Sequence, residues 1–131
     1  MYSCVTTFVS AARSTPLRIL AIDDDADTRE MYSRMIRDEG HEPLLAGDGV
    51  EALRLMEPQP DLVILDLGLP GMDGYEILRA MKADATTAEI PVLVVSAHRF
   101  VRPAEAIGFV AALRKPADLP LLPAMIALVG R

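Results

Sequence analysis

Asp61-Leu62-Val63-Ile64-Leu65-Asp66-Leu67-Gly68-Leu69-Pro70-Gly71-Met72-Asp73-Gly74 is the stretch that decides the fold. Residues 62–65 are four consecutive branched aliphatics, the pattern of a strand buried on both faces of a parallel sheet. The run stops at Asp66, where the strand should emerge. Gly68, Pro70, Gly71 and Gly74 then give a dense loop signal. Open parallel sheets collect their chemistry at the carboxyl ends of the strands. Asp66 is therefore a candidate nucleophile or metal ligand. The competing reading is a loop aspartate that caps the next turn, and the rest of the chain has to decide.

Upstream, residues 17–22 form a second apolar run that ends in Asp23-Asp24-Asp25. Three adjacent carboxylates repel one another unless a cation or a basic side chain offsets them. Capping of the next helix by Asp25 or Asp27 accounts for one of these acids, or two, and not comfortably for three. Residues 26–39 read as a helix with Met31, Tyr32, Met35 and Ile36 on its apolar stripe and Gly40 as its stop. Residues 41–46 form a strand that Pro43 confines to a sheet edge. His41 reads as a solvated loop residue. Residues 50–57 form a helix ended by Pro58-Gln59-Pro60.

Downstream, residues 74–83 form a helix and residues 91–95 an aliphatic strand that leads to Ser96. A short helix interrupted by Pro103 belongs in 98–107. A fifth strand covers 109–113, followed by Arg114-Lys115-Pro116. The last helix lies within 118–129 and must start near Pro120 or Pro123, since proline is tolerated only in a first turn. The alternation of strands and helices predicts an α/β fold with a parallel sheet and helices on both faces.

Of the 131 residues, 51% are hydrophobic and the mean hydropathy is +0.26, which suits one folded domain. Residues 1–16 read as a flexible N-terminal tail and 17–131 as the domain. Cys4, the one cysteine, allows no internal disulfide and points to a reducing compartment, hence the cytoplasm. The net charge of −6 argues against direct nucleic-acid binding by phosphate neutralisation. No apolar run is long enough to span a bilayer.

The strand ends therefore carry Asp23 and Asp24, Asp66, Ser96 and Lys115. Neighbouring strands lie about 4.8 Å apart, so these side chains can meet in one crevice. The carboxylates suit Mg²⁺, which takes carboxylate and phosphate oxygens and keeps several waters. A hydroxyl and an ammonium facing them suit a phosphoryl group. The combination points to an aspartyl-phosphate site, in which Mg²⁺ offsets the repulsion between a carboxylate and a phosphoryl donor.

With these four pieces in order, Ile-Leu-Ala-Ile-Asp23-Asp24-Asp25, Leu-Val-Ile-Leu-Asp66 through Gly74, Val-Leu-Val-Val-Ser96-Ala97 and Lys115-Pro116, the chain resembles the receiver domain of two-component response regulators. The likeness is to the chemotaxis-regulator type and runs from about residue 17 to 129. It implies a flavodoxin-like five-stranded sheet of order 2-1-3-4-5. It implies Asp66 as phospho-acceptor, Asp24 as a direct Mg²⁺ ligand, Asp23 as one acting mostly through water, and the Gly68 carbonyl as the remaining protein ligand. Ser96 and Lys115 bind the phosphoryl group. Ala97 matches the family's small residue beside it, Lys115-Pro116 matches the family's cis peptide, and Pro70 and Gly71 shape the acceptor loop. The implied partners are a histidine kinase or histidine phosphotransfer protein and an unidentified downstream protein. A monomer or weak dimer is expected.

Three features set the chain apart within the family pattern. Ala112 stands three residues before the lysine, where an aromatic usually rotates inward, so signal transmission is expected to be unconventional. Ser96 and Lys115 are 19 positions apart (115 − 96), a short spacing that with Pro103 predicts a short or distorted fourth helix. Gly68 and His98 flank the approach of water in the family, and Gly68 favours a short-lived phosphoform. Two other readings compete. One is a degenerate receiver acting by protein contact alone. The other is a Mg²⁺-dependent phosphatase with an aspartyl nucleophile, for which Gly68 stands where the general acid belongs. The domain is either a stand-alone regulator or the receiver piece of a longer protein.

Overall fold

The computed structural model describes residues 16–69, 73–97, 109–115 and 118–129. Five strands form one sheet: β1 Arg18–Ile22, β2 Glu42–Ala46, β3 Leu62–Leu65, β4 Val92–Ser96 and β5 Ala111–Arg114. Their order is β2-β1-β3-β4-β5, and every pairing is parallel. Four α-helices are described: α1 Ala26–Asp38, α2 Gly49–Arg54, α3 Gly74–Ala83 and α4 Leu122–Val129. The order 2-1-3-4-5 is as the family resemblance implies, and the edge position of the Pro43 strand is as its proline indicates. Pro43 pairs with Ile19 on β1, and β2 ends the sheet on that side.

Side-chain alternation divides the core into two layers. Leu20, Ile22, Val63, Leu65, Val92 and Val94 pack with Ala52 of α2, with Met56 just beyond it and with Ile77, Leu78 and Met81 of α3. Ile19, Ala21, Leu62, Ile64, Leu93 and Val95 face the other way, onto Tyr32 and Ile36 of α1 and Leu122 and Ile126 of α4. The central strands are buried throughout, which is why they read as unbroken apolar runs rather than alternating ones.

Several local expectations shift. Met31 is 38% exposed, and the inward stripe of α1 runs through Tyr32, Ser33 and Ile36, with Met35 only partly covered. His41 is buried, and its Nδ1 accepts the Leu17 backbone N–H at 3.0 Å. β5 begins at Ala111 rather than 109, because its pairing with Leu93–Ser96 sets the register. Helix α2 stops at Arg54, ahead of Pro58, whose peptide bond to Glu57 is cis. The last helix opens with a 3₁₀ turn, Leu119–Leu121, that holds Pro120, and Pro123 falls in the first turn of α4. The helix expected in 98–107, His98, Pro70, Gly71, the Lys115–Pro116 peptide and residues 1–15 of the expected tail all lie outside the described residues.

Candidate functional site

Each acid arrives at the carboxyl edge of the sheet by a distinct route. Asp23 follows β1 directly, its N–H bonded to the Ala46 carbonyl at 3.0 Å. Its Oδ1 accepts the Asp25 N–H at 3.0 Å. Asp25 is the N-cap of α1, its carboxylate accepting from the Thr28 N–H at 3.0 Å and the Thr28 hydroxyl at 2.6 Å. Those two hydrogen bonds hold its pKa below the usual carboxylate value. Of the three adjacent acids, Asp25 is therefore accounted for by the helix, which leaves Asp23 and Asp24 for the crevice.

Asp66 follows β3, its N–H bonded to the Ile22 carbonyl at 3.0 Å and its Oδ1 accepting from the Gly68 N–H at 3.0 Å. The Gly74 N–H bonds back to the Leu67 carbonyl at 3.0 Å. A Cβ at Gly74 would stand 2.6 Å from Leu67 Cα and 2.7 Å from the Asp66 carbonyl oxygen. The glycine thus lets the start of α3 lie directly on the backbone of the acceptor loop. Asp73 caps that helix through the Glu76 N–H at 2.9 Å.

One oxygen from each of Asp23, Asp24 and Asp66 lies within 4.8 Å of the others. Asp23 is 1% and Asp66 8% exposed, whereas Asp24 faces solvent. An all-oxygen, carboxylate-rich set with an open side fits a hard divalent cation and gives no support to a soft one. Lys115 reaches the same place from β5. Its ammonium is hydrogen-bonded and ion-paired with Asp23 Oδ2 and lies 3.3 Å from Asp66 Oδ2. Ser96, fully buried at the end of β4, is tied to it through the backbone, the Lys115 N–H bonding to the Ser96 carbonyl at 3.1 Å.

Burial raises the Asp23 pKa above the ordinary carboxylate value, and the neighbouring Asp66 charge adds to this. The bonds from Lys115 and the Asp25 N–H offset the rise only in part. Burial opposes the Lys115 ammonium, but its bond to Asp23 and the charges of Asp66 and Asp23 outweigh that and hold its pKa above the ordinary lysine value. The pocket is therefore short of positive charge: the Lys115 ammonium serves two carboxylates at once.

Two residues of α1 carry no local sequence signal of what they meet. Arg29, six residues after Asp23, donates from Nη1 to the Asp23 carbonyl at 2.9 Å. The guanidinium lies 3.0 Å from where a Gly47 Cβ would be, so the glycine makes its room. Tyr32 is the second. It is 1% exposed, and its hydroxyl has no hydrogen-bond partner among the described residues. The sequence places residue 32 on the apolar stripe together with Met31, and does not show what its hydroxyl meets.

Receiver domains use this sheet order, and the profile of the response regulator receiver domain family matches residues 19–127. The chain belongs to that family, whose members are signalling switches and not classical enzymes. It is 43% identical over 81 residues to the DNA-binding response regulator MtrA of Mycolicibacterium paratuberculosis, an alignment covering 61% of this chain and 35% of MtrA. It is 42% identical over 84 residues to the response regulator MprA of a Mycobacterium species, covering 63% of this chain and 36% of MprA. Among solved structures, the chemotaxis protein CheY4 of Vibrio cholerae superposes with a TM-score of 0.80 at 28% identity, covering 88% of this chain and 99% of CheY4.

The match thus spans about a third of the length of the curated relatives. MtrA carries DNA-binding in its name, so the acidic charge of this domain excludes nothing for a longer protein. No helix among the described residues is long and apolar enough to cross a membrane.

Proposed function

We propose that this domain accepts a phosphoryl group on Asp66 and is switched by it. The observation that carries this reading is the convergence of Asp23, Asp24 and Asp66 with the Lys115 ammonium at the carboxyl edge of the sheet. An Asp66 oxygen attacks the phosphorus of a phosphohistidine on a kinase or phosphotransfer protein. The new O–P bond forms as the P–N bond breaks, and the leaving imidazole takes up a proton. Asp23, Asp24 and Asp66, with the Gly68 carbonyl, would hold Mg²⁺, which when bound would offset the repulsion between donor and carboxylate. Ser96 donates to a phosphoryl oxygen, and Lys115 moves its charge from Asp23 toward the new phosphoryl group. Later attack of water on phosphorus releases phosphate and restores the Asp66 carboxylate. Gly68, with no side chain to cover that approach, favours a short-lived phosphoform.

Ala112 is half-buried against the layer that holds Leu65 and Val94. With no rotamer to turn inward, it leaves transmission to backbone and helix displacement rather than to an aromatic switch. The domain, residues 17–131, acts in the cytoplasm, as a monomer or weak dimer, upstream of a protein target. Incubation with acetyl phosphate across a Mg²⁺ titration tests the reading. Uptake that saturates with Mg²⁺ and stops on chelation is expected; uptake indifferent to Mg²⁺, or none, contradicts it.

A further inference from the structure

Tyr32 lies on the same side of the sheet as the two buried acids. Positions 19, 21 and 23 along the first strand and 62, 64 and 66 along the third alternate onto one face. Ile19, Ala21, Leu62 and Ile64 pack there with Tyr32. Ala21, the last residue on that face before Asp23, is small and fully buried. Helical side chains generally lean toward the helix N-terminus, and α1 starts just after Asp23, so the acidic edge lies on the side to which a residue at position 32 is directed. The charges of both acids act on its hydroxyl, adding to burial in raising its pKa. That hydroxyl is nonetheless unpartnered among the described residues, and a buried donor left unpaired is uncommon enough to need a cause. In this structure Lys115 occupies Asp23 Oδ2, and the Asp25 N–H occupies Oδ1.

We propose that Tyr32 is a positioning residue of the acidic pocket, whose hydroxyl donates to the Asp23 carboxylate once Lys115 has left it. The inference rests on the metal-assisted phosphoryl chemistry proposed above. It makes the tyrosine a donor held in reserve. Lys115 neutralises Asp23 in the resting domain, and Tyr32 takes over one of its hydrogen bonds when a divalent cation bound among the acids displaces the ammonium by charge repulsion, which leaves the lysine free for the phosphoryl group. Asp23 is then kept in its orientation although its ion-pair partner has moved.

The test compares wild type with Tyr32→Phe by isothermal titration with Mg²⁺ and by thermal melting in a chelator. The expected result is a melt in chelator that is not lowered, because the hydroxyl has no partner to lose there. Mg²⁺ affinity falls on the order of tenfold, as for the loss of one hydrogen bond to a charged group. Mg²⁺ should also shift the tyrosine absorption band of wild type to the red, a change readable because the chain has three tyrosines and no tryptophan. Tyr32→Phe should lose that shift. Equal Mg²⁺ affinity in the two proteins overturns the proposal, and so does a lower melt of the variant in chelator, which marks a hydroxyl already bonded in the resting form. A wild-type domain that binds no Mg²⁺ at all overturns the phosphoryl-site reading as well, which separates the two failures.

Discussion

Gly74→Ala should damage the domain although it places a good helix former in a helix. A Cβ there meets backbone, not flexible side chain: Leu67 Cα at 2.6 Å, the Asp66 carbonyl oxygen at 2.7 Å, and then Leu67 Cδ2 at 3.0 Å. The start of α3 must move off the acceptor loop, or the loop must move with it. Overpacking of this kind costs about 1–3 kcal/mol. The helix preference for alanine returns at most about 1 kcal/mol, and less at a first-turn position. With backbone atoms under 3 Å from the new Cβ the cost lies toward the upper end, about 2–3 kcal/mol, and a net loss of about 1–2 kcal/mol remains, worth roughly 3–10 °C in melting temperature for a domain of this size. The displaced group is the backbone of Asp66 itself, so phosphoryl uptake should slow in the folded variant. Thermal denaturation and the acetyl phosphate assay, run on the same protein below its melting range, read both effects. Gly40→Ala is the control: its φ of +85° makes alanine costly, but nothing lies within 4 Å of the new Cβ and the site is untouched. A Gly74→Ala protein as stable as wild type, with unchanged uptake, would refute the claim that close backbone approach places Asp66.

Asp23→Asn should weaken Mg²⁺ binding, and the metal-free variant should do better against wild type at neutral pH than in acid. The folded-state pKa of Asp23 is raised, so its charge costs stability above that value. The cost fades as pH falls through the folded pKa and is gone below the ordinary carboxylate value, so the variant should lose ground to wild type on acidification. Melting in chelator across a pH series measures it, and a variant that gains on wild type toward acid contradicts the assignment. His41→Phe removes the acceptor of the Leu17 N–H and should cost about 1–2 kcal/mol at the start of β1. An unchanged denaturation midpoint would show that water replaces the ring nitrogen.

The parallel α/β alternation and the acids at the strand ends are legible in the sequence because they depend on patterns the chain displays locally, whereas the strand order comes from the family resemblance. Residues 62–65 and 92–95 are buried on both faces, so their runs are continuous. Asp66 and Ser96 end those runs, and Pro43 marks an edge. The misreadings have a common physical origin. Met31 and Tyr32 are adjacent on a helix, and hydropathy cannot choose between the stripe 31–35 and the stripe 32–36; packing with Ala21 and Ile64 favours the tyrosine. His41 reads as solvated because its partner, the Leu17 backbone, is 24 residues away. Gly74 reads as a loop glycine, while its reason is the Asp66 carbonyl. Arg29 meets the Asp23 carbonyl through a contact that the sequence pattern does not announce.

The central claim is that Asp66 carries the phosphoryl group. The most direct measurement is phosphorylation with a small-molecule donor and Mg²⁺, followed by borohydride reduction of the acyl phosphate and peptide mass spectrometry. The account predicts homoserine at residue 66 and nowhere else, and no reduced residue in Asp66→Asn. Reduction at another carboxylate, or phosphoryl uptake that survives in Asp66→Asn, would contradict it.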